Sequence, residues 1–312
     1  MGSPRENAIA AALTASADSA ASPEVRLAAC ELLIRVGLVD SIMPTLRSLT
    51  AVPTCAGRAR LLLRTGEYFL RRGLLNDFVA VGGEGGTALQ PSIPDAAAAA
   101  LWRDPDDPQR AAHTLLIVFT GVGKQFWVSL DLLHRILRRW FGQILYLRDF
   151  REIYFLAGVH GLGEDYAATL ARLKQIASAS SIEKRLVLGT SAGGYGALRY
   201  GLDLSADAIL ALSPATDLRN GVHEVIANRL RDLQIPAEEL DLLPAYERAH
   251  HRPRVTMVYG AHNPQDCAAA QRFAHFSEFQ LVPVPNVASH DITAHLIGTG
   301  KFEQLLQELL TK

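Results

Sequence analysis

Six short, nearly unbroken apolar runs constrain this chain more than anything else in it: Thr114 to Thr120, Gln143 to Leu147, Lys184 to Gly189, Ala208 to Leu212, Val255 to Tyr259 and Phe279 to Val284. Runs of five to seven residues without polar alternation suit strands buried on both faces. Between them lie stretches with helical spacing: Phe126 to Trp140, Glu164 to Ser178, Gly194 to Gly201, Gly221 to Leu233, Asp266 to Phe276 and Lys301 to Leu310. Strand and helix in alternation predict a mostly parallel sheet with helices on both sides.

The N-terminal part has a different period. From Pro23 to about Phe78 the apolar residues recur at helical spacing, and no strand-like run interrupts them. Glu31-Leu-Leu-Ile-Arg-Val-Gly37-Leu-Val-Asp and Glu67-Tyr-Phe-Leu-Arg-Arg-Gly73-Leu-Leu-Asn share Glu, Arg, Gly and Leu about 36 residues apart. The pair resembles a short tetratricopeptide-type hairpin repeat, with Gly37 and Gly73 where one helix stops. Two copies are fewer than normally stand alone, so these helices are expected to cap the second part or to dock a protein partner or another copy of the chain. The glycine-rich Val81 to Gly86 and the Pro- and Asp-rich Trp102 to Pro108 read as loops, with a short helix over Ala96 to Ala100. The expected division is a helical region over 1–85 and an α/β region over 86–312.

Charge and cysteine usage exclude several classes. Lys and Arg total 31 against 32 Asp and Glu, a net charge of -1, so no bulk attraction to nucleic acid or an anionic membrane is expected. Cys30, Cys55 and Cys267 have neither paired nor metal-type spacing, which suits buried thiols in a reducing compartment. The first residues lack a signal-peptide pattern and no apolar run approaches 18 residues, so a cytoplasmic location is expected. His250, His251 and His262 are crowded without ligand spacing, and neither a metal nor another cofactor is expected.

One stretch carries chemistry. In Arg185-Leu-Val-Leu-Gly189-Thr-Ser191-Ala-Gly193-Gly-Tyr-Gly196 an apolar strand stops, turns sharply at Gly189-x-Ser191-x-Gly193, and continues as a helix. Glycines on both sides leave the hydroxyl at the bend, beside the backbone N–H groups that open the helix. Ser191 is therefore a candidate nucleophile. The plainer alternative is that the glycines only let strand and helix pack closely.

With this elbow, the strand–helix order, and an acid and a base following the serine, residues from about 112 to the end resemble an α/β-hydrolase. The resemblance spans roughly two thirds of the chain and implies an α/β-hydrolase fold, a mostly parallel sheet flanked by helices, behind an N-terminal all-helical region. It also implies a base after the last strand, where His290 stands in Val287-Ala-Ser-His-Asp-Ile292; His295 is the fallback. The family's acid usually follows the strand read here as Val255 to Tyr259. In that loop Asn263 occupies the usual carboxylate position, and Asp266 arrives three residues later. Asp266 could also be only the N-cap of the helix from Cys267 to Phe276, and Asp217, after the preceding strand, is the alternative acid. Thr120-Gly121-Val122-Gly123-Lys124 is similar to the family's oxyanion loop, with Val122 and Ala192 as the expected N–H donors and Gly121 and Gly123 permitting close approach. It is not a phosphate-binding loop, since Val118 and Gln125 stand where a glycine and a Ser/Thr are needed.

Residues 218–252 are read as a small lid insert, and Phe119, Phe126, Trp127 and Tyr195 as aromatics lining an acyl pocket or serving the core. The implied activity is a serine hydrolase acting on a small-molecule or polymer-borne ester or thioester. Acyl transfer with the same residues, or a non-catalytic interaction protein, are the alternatives.

Overall fold

In the computed structural model the described residues are 4–73, 97–107, 113–178, 182–219 and 224–311. The expected boundary near Gly82 to Gly86 lies outside them. The chain separates into two compact units: one of residues 1–92, 127–136 and 293–304, the other of 93–126, 137–292 and 305–312.

The first unit is helical. Helices α1 (Pro4–Ala17), α2 (Pro23–Arg35), α3 (Met43–Leu49) and α4 (Ala56–Arg71) are joined by α11 (Thr293–Gly298). Leu33, Ile34, Ile42, Leu46, Leu62 and Phe69 are fully buried at its centre. Polar ties complete it: the Thr65 hydroxyl donates to the Ala294 carbonyl at 3.1 Å, and Glu31 accepts from Arg58 at 2.6 and 3.1 Å and from the Trp127 indole at 3.2 Å. The two similar segments around Gly37 and Gly73 are the C-terminal ends of α2 and α4. Both glycines have left-handed φ, 87° and 64°, the conformation that ends a helix and that residues with a Cβ avoid.

The second unit is built on one seven-stranded sheet, β1 (Ala99–Arg103), β2 (Thr114–Phe119), β3 (Gln143–Leu147), β4 (Lys184–Thr190), β5 (Ala208–Leu212), β6 (Arg254–Gly260) and β7 (Phe279–Val284), in the order β1-β3-β2-β4-β5-β6-β7. All neighbours are parallel except β1, which runs antiparallel to β3. β3 and β5 are buried at every residue and β2 at all but its first, which is why their runs lack alternation. Each fully buried Leu, Ile, Val or Phe there contributes roughly 1.5–3 kcal/mol. Strand β1 departs from expectation. Ala99 and Ala100, read as helix, and Trp102 and Arg103, read as loop, pair residue by residue with β3 from Leu147 to Gln143. Alanine's helical preference is a few tenths of a kcal/mol per residue, and a row of ladder hydrogen bonds outweighs it.

Helices α5 (Leu130–Leu137), α6 (Tyr166–Ala177), α7 (Ala192–Asp203), α8 (Glu224–Asp232), α9 (Leu243–Arg248), α10 (Pro264–Gln271) and α12 (Lys301–Thr311) complete the chain. Helix α5 starts four residues later than the periodicity suggests, because Trp127 has φ 69° and breaks the helical backbone before it. From β2 the chain steps outward to β3, whereas from β4 it steps the opposite way to β5. A crevice opens where strand order reverses, outside the carboxyl ends of β2 and β4. The loop after Phe119 and the bend at Ser191 both leave the sheet there.

Candidate active site

Ser191 stands between the end of β4 and the first residue of α7, with φ 53° and ψ −119°. A non-glycine residue held there costs roughly 1–3 kcal/mol and persists only where its surroundings fix it. Several contacts do so. The Ser191 N–H donates to the Leu212 carbonyl at 2.9 Å, and its own carbonyl accepts from Gly194 N–H at 2.9 Å. A Cβ on Gly189 would lie 2.2 Å from the Gly193 carbonyl oxygen, and one on Gly193 would lie 2.2 and 2.3 Å from those of Phe119 and Thr120. The bend is thus as tight as backbone allows, and only glycine fits at either position.

His290 follows β7 on a loop tied to the one after β6. His262 N–H donates to the Val287 carbonyl at 2.9 Å, and the Asn263 amide donates to the Ala288 carbonyl at 3.3 Å. These ties hold the imidazole with Nε2 2.8 Å from Ser191 Oγ and Nδ1 2.7 Å from Asp266 Oδ1. An ionised carboxylate only accepts, so Nδ1 carries the proton toward Asp266, and Nε2 is left to accept from the serine hydroxyl. The hydrogen bond to Asp266 raises the His290 pKa above the usual 6.5. Partial burial opposes that shift, and the charges of Asp266 and Asp291 add to it.

Asp266 is not the helix cap. Helix α10 begins at Pro264, and the Asn263 side chain caps it, accepting from the N–H groups of Gln265 and Asp266, both at 3.1 Å. Released from that duty, the Asp266 carboxylate is 4% exposed and turned to the imidazole. Asp217 is engaged elsewhere. It accepts from Arg219 at 2.7 and 2.9 Å, and this guanidinium holds its carboxyl below the ordinary range. Arg219 and Arg272 both reach Asp241 at 2.6 Å, so two arginines and two aspartates close a network on one wall of the site. His295 lies in the other unit on α11, its pKa lowered by burial and then by Arg64 and Lys301.

Val122 is 36% exposed on the turn after β2, and neither its N–H nor that of Ala192 has a protein partner among the described residues. The Gly121 N–H is taken by the Gln125 carbonyl at 3.1 Å. Gly123 is in the same turn, where an added Cβ would touch only the Gln125 side chain at 3.9 Å. A cleft of about 510 Å³ opens at Ser191 and His290. Its walls are Tyr154, Pro214 to Asp217, Gln265, Asp266, Ala268, Ala269 and Arg272. The aromatic wall expected from sequence is not there. Phe119, Phe126 and Tyr195 are completely buried, and the Tyr195 hydroxyl donates to the Glu239 carbonyl. Tyr195 lies on the side of α7 away from Gly193 and Gly201, which meet the strands, and the Tyr154 ring and the Glu239 segment cover it there. Trp127 lies in the other unit, bonded to Glu31. Tyr154 and Arg272 belong to no motif: Tyr154 stands in a turn closed by Asp149, and Arg272 reaches Asp241 from the end of α10, 31 residues away.

Cys30 and Cys55 are buried and Cys267 half-buried, all as free thiols; burial pushes the Cys30 thiol up to about 11. No group of three or more His, Cys, Asp or Glu able to hold a metal occurs among the described residues. Nor is any of their helices long and apolar enough to cross a membrane.

The strand order, the single antiparallel edge strand and the strained serine between a central strand and its helix define the α/β-hydrolase fold. No family model and no curated protein matches the chain by sequence. Among solved structures, it is similar to esterase 2 of the planctomycete Thermogutta terrifontis with propionate bound, at 14% identity over 68% of this chain and 89% of that one, TM-score 0.43. It is also similar to MGS-MChE2, an α/β hydrolase from the metagenome of Mar Chica lagoon sediments, at 13% identity over 67% and 92%, TM-score 0.42. A third, AqDC, described in recognition and ring-cleavage of the Pseudomonas quinolone signal, has 9% identity over 72% and 100%, TM-score 0.40.

Proposed function

We propose that the protein is a serine hydrolase that cleaves a carboxylic ester or thioester through an acyl-enzyme on Ser191. The observation that carries this reading is His290 bridging Ser191 at 2.8 Å and Asp266 at 2.7 Å through its two ring nitrogens. A neutral hydroxyl is a weak nucleophile, and an imidazole in hydrogen-bond reach is what it needs. In the first half-reaction Ser191 Oγ attacks the carbonyl carbon while Nε2 takes its proton. Asp266 stabilises the imidazolium, and the oxyanion draws on the N–H groups of Ala192 and Val122. Collapse expels the alcohol or thiol, which leaves with the proton from His290. Water, deprotonated by the same nitrogen, then releases the acid and restores the serine.

A purely scaffolding role would be favoured by a His290 more than about 6 Å from Ser191, beyond reach of a bridging water. At 2.8 Å the base needs no intermediary. The test is labelling by a fluorophosphonate probe, with wild type and Ser191→Ala compared. Labelling of the wild type alone supports the proposal; equal labelling, or none of either, ends it.

A further inference from the structure

The turn between β3 and α6 is organised by one buried carboxylate. Asp149, 6% exposed, accepts four backbone hydrogen bonds: Oδ1 from Arg151 and Glu152 N–H, both at 3.0 Å, and Oδ2 from Ile153 and Phe155 N–H at 2.7 and 2.9 Å. The turn it closes contains three non-glycine residues at positive φ: Glu152 at 55°, Tyr154 at 61° and Phe155 at 65°. Side chains avoid that region, and three together require an outside constraint. Asp149 supplies it, with help from the Tyr200 hydroxyl, which donates to the Phe155 carbonyl at 3.0 Å.

Two side chains displayed by this turn reach the site. Tyr154 lines the cleft with Ser191, its ring edge-on to Tyr195 at 5.9 Å, and its hydroxyl has no protein partner among the described residues. Glu152 turns to the loop that carries Val122. Its Oε1 accepts from Lys124 Nζ at 2.6 Å and its Oε2 from Arg229 of α8 at 3.0 Å. Lys124 itself has φ 58°, in a turn closed by its N–H donating to Gly121 O at 2.9 Å.

We propose that Asp149 is a positioning residue for the reaction: through the 149–155 turn it sets Tyr154 as a wall of the cleft and Glu152 as the clamp on the Thr120 to Gln125 loop. The catalytic part of this rests on the serine-hydrolase reading. Asp149 touches neither Ser191 nor His290, so it acts only through the turn. Four N–H groups converge on it, and Asn supplies one acceptor while turning an N–H of its own against two donors.

Hydrogen exchange read by mass spectrometry tests the clamp, and ester kinetics with p-nitrophenyl acetate test its consequence. Asp149→Asn is expected to speed exchange in peptides covering both 149–156 and 120–126, and to lower kcat about 10- to 100-fold. The pH midpoint of the His290 limb should stay in place, because the bond that Nδ1 donates to Asp266 is untouched. Glu152→Gln is expected to speed exchange over 120–126 alone, with a smaller kcat loss. The proposal is overturned if Asp149→Asn loosens only its own turn, keeps wild-type kcat, or moves the pH limb. If that variant does not fold, Glu152→Gln decides alone, and unchanged exchange over 120–126 overturns the clamp. If the wild type neither hydrolyses esters nor takes the fluorophosphonate, the hydrolase reading fails, while the exchange result still decides the positioning claim.

Discussion

Gly193→Ala probes the closeness of strand and helix on which the bend depends. An added Cβ would lie 2.2 Å from the Phe119 oxygen, 2.3 Å from the Thr120 oxygen and 2.5 Å from the Phe119 carbonyl carbon. A carbon next to a carbonyl oxygen settles at about 3.3 Å or more, so something must move by about 1 Å. All three atoms are backbone, and two belong to the buried end of β2, so no side chain can swing aside. Alanine's better helix propensity gains up to about 1 kcal/mol, against roughly 1–3 kcal/mol for forcing a group into packed structure. Net destabilisation is expected, read as a fall in Tm of about 2–4 °C per kcal/mol. The same displacement shifts Ser191 and the Ala192 N–H relative to the Thr120 to Gly123 loop. Misplacement by 1 Å costs on the order of 100-fold in rate, or about 2.7 kcal/mol of barrier. The assay is kcat/KM on p-nitrophenyl acetate beside the rate of fluorophosphonate labelling, with thermal melting in parallel. Gly57→Ala is the control. At the second position of α4 a new Cβ meets nothing within 4 Å, so neither stability nor rate should fall. Wild-type kcat/KM and an unchanged or higher Tm for Gly193→Ala would refute the reasoning.

Asp266→Asn should leave the fold intact, because Asn263 supplies the cap, and lower kcat by about 10³- to 10⁴-fold through loss of the correct His290 tautomer; a loss under tenfold, or a large loss from Asp217→Asn instead, counts against it. Wild-type kcat/KM should rise with pH through a midpoint above 6.5, since His290 must be neutral to accept a proton and its pKa is raised. In Asp266→Asn that midpoint should move down, and a pH-rate titration checks both. The same raised pKa gives a small stability increment, fully present below pH 6.5 and fading as pH rises through the folded value. Asn263→Ala removes both the cap and the tie to Ala288, costing about 1 kcal/mol in melting experiments and lowering kcat more than it raises KM. Asn263→Asp keeps the cap and loses only the tie, so its melting temperature should stay nearer the wild type.

The six apolar runs coincide with β2 to β7 to within a residue at either end. The inner strands are visible because burial on both faces leaves a local signature; β7, an edge strand buried only at its two ends, shows instead through its Phe, Leu and Val content. Strand β1 left none. It is an edge strand of two alanines, a leucine, a tryptophan and an arginine, and its conformation comes from the ladder with β3. The bend at Ser191 was legible for a related reason: two glycines within five residues mark where a strand and a helix approach too closely for a Cβ. Asn263 was legible only as a departure from a pattern. Its work as cap of α10 and tie to the His290 loop appears once the loops after β6 and β7 lie side by side. Tyr195 follows the elbow in sequence, but it is buried by the Glu239 segment, 44 residues on, and by Tyr154, which no pattern around the elbow announces.

Local pattern thus determined six of the seven strands, the bend and the serine on it, since apolar runs and closely spaced glycines are written in neighbouring residues. Which carboxylate meets the imidazole was decided in three dimensions. Asp266 and Asp217 are alike in sequence, each an aspartate after a strand, and they part only because Arg219 and Arg272 surround one while the other lies 2.7 Å from His290. Proton transfer depends on distances of a few tenths of an ångström between groups 24 and 99 residues apart, and no pattern along the chain encodes such distances.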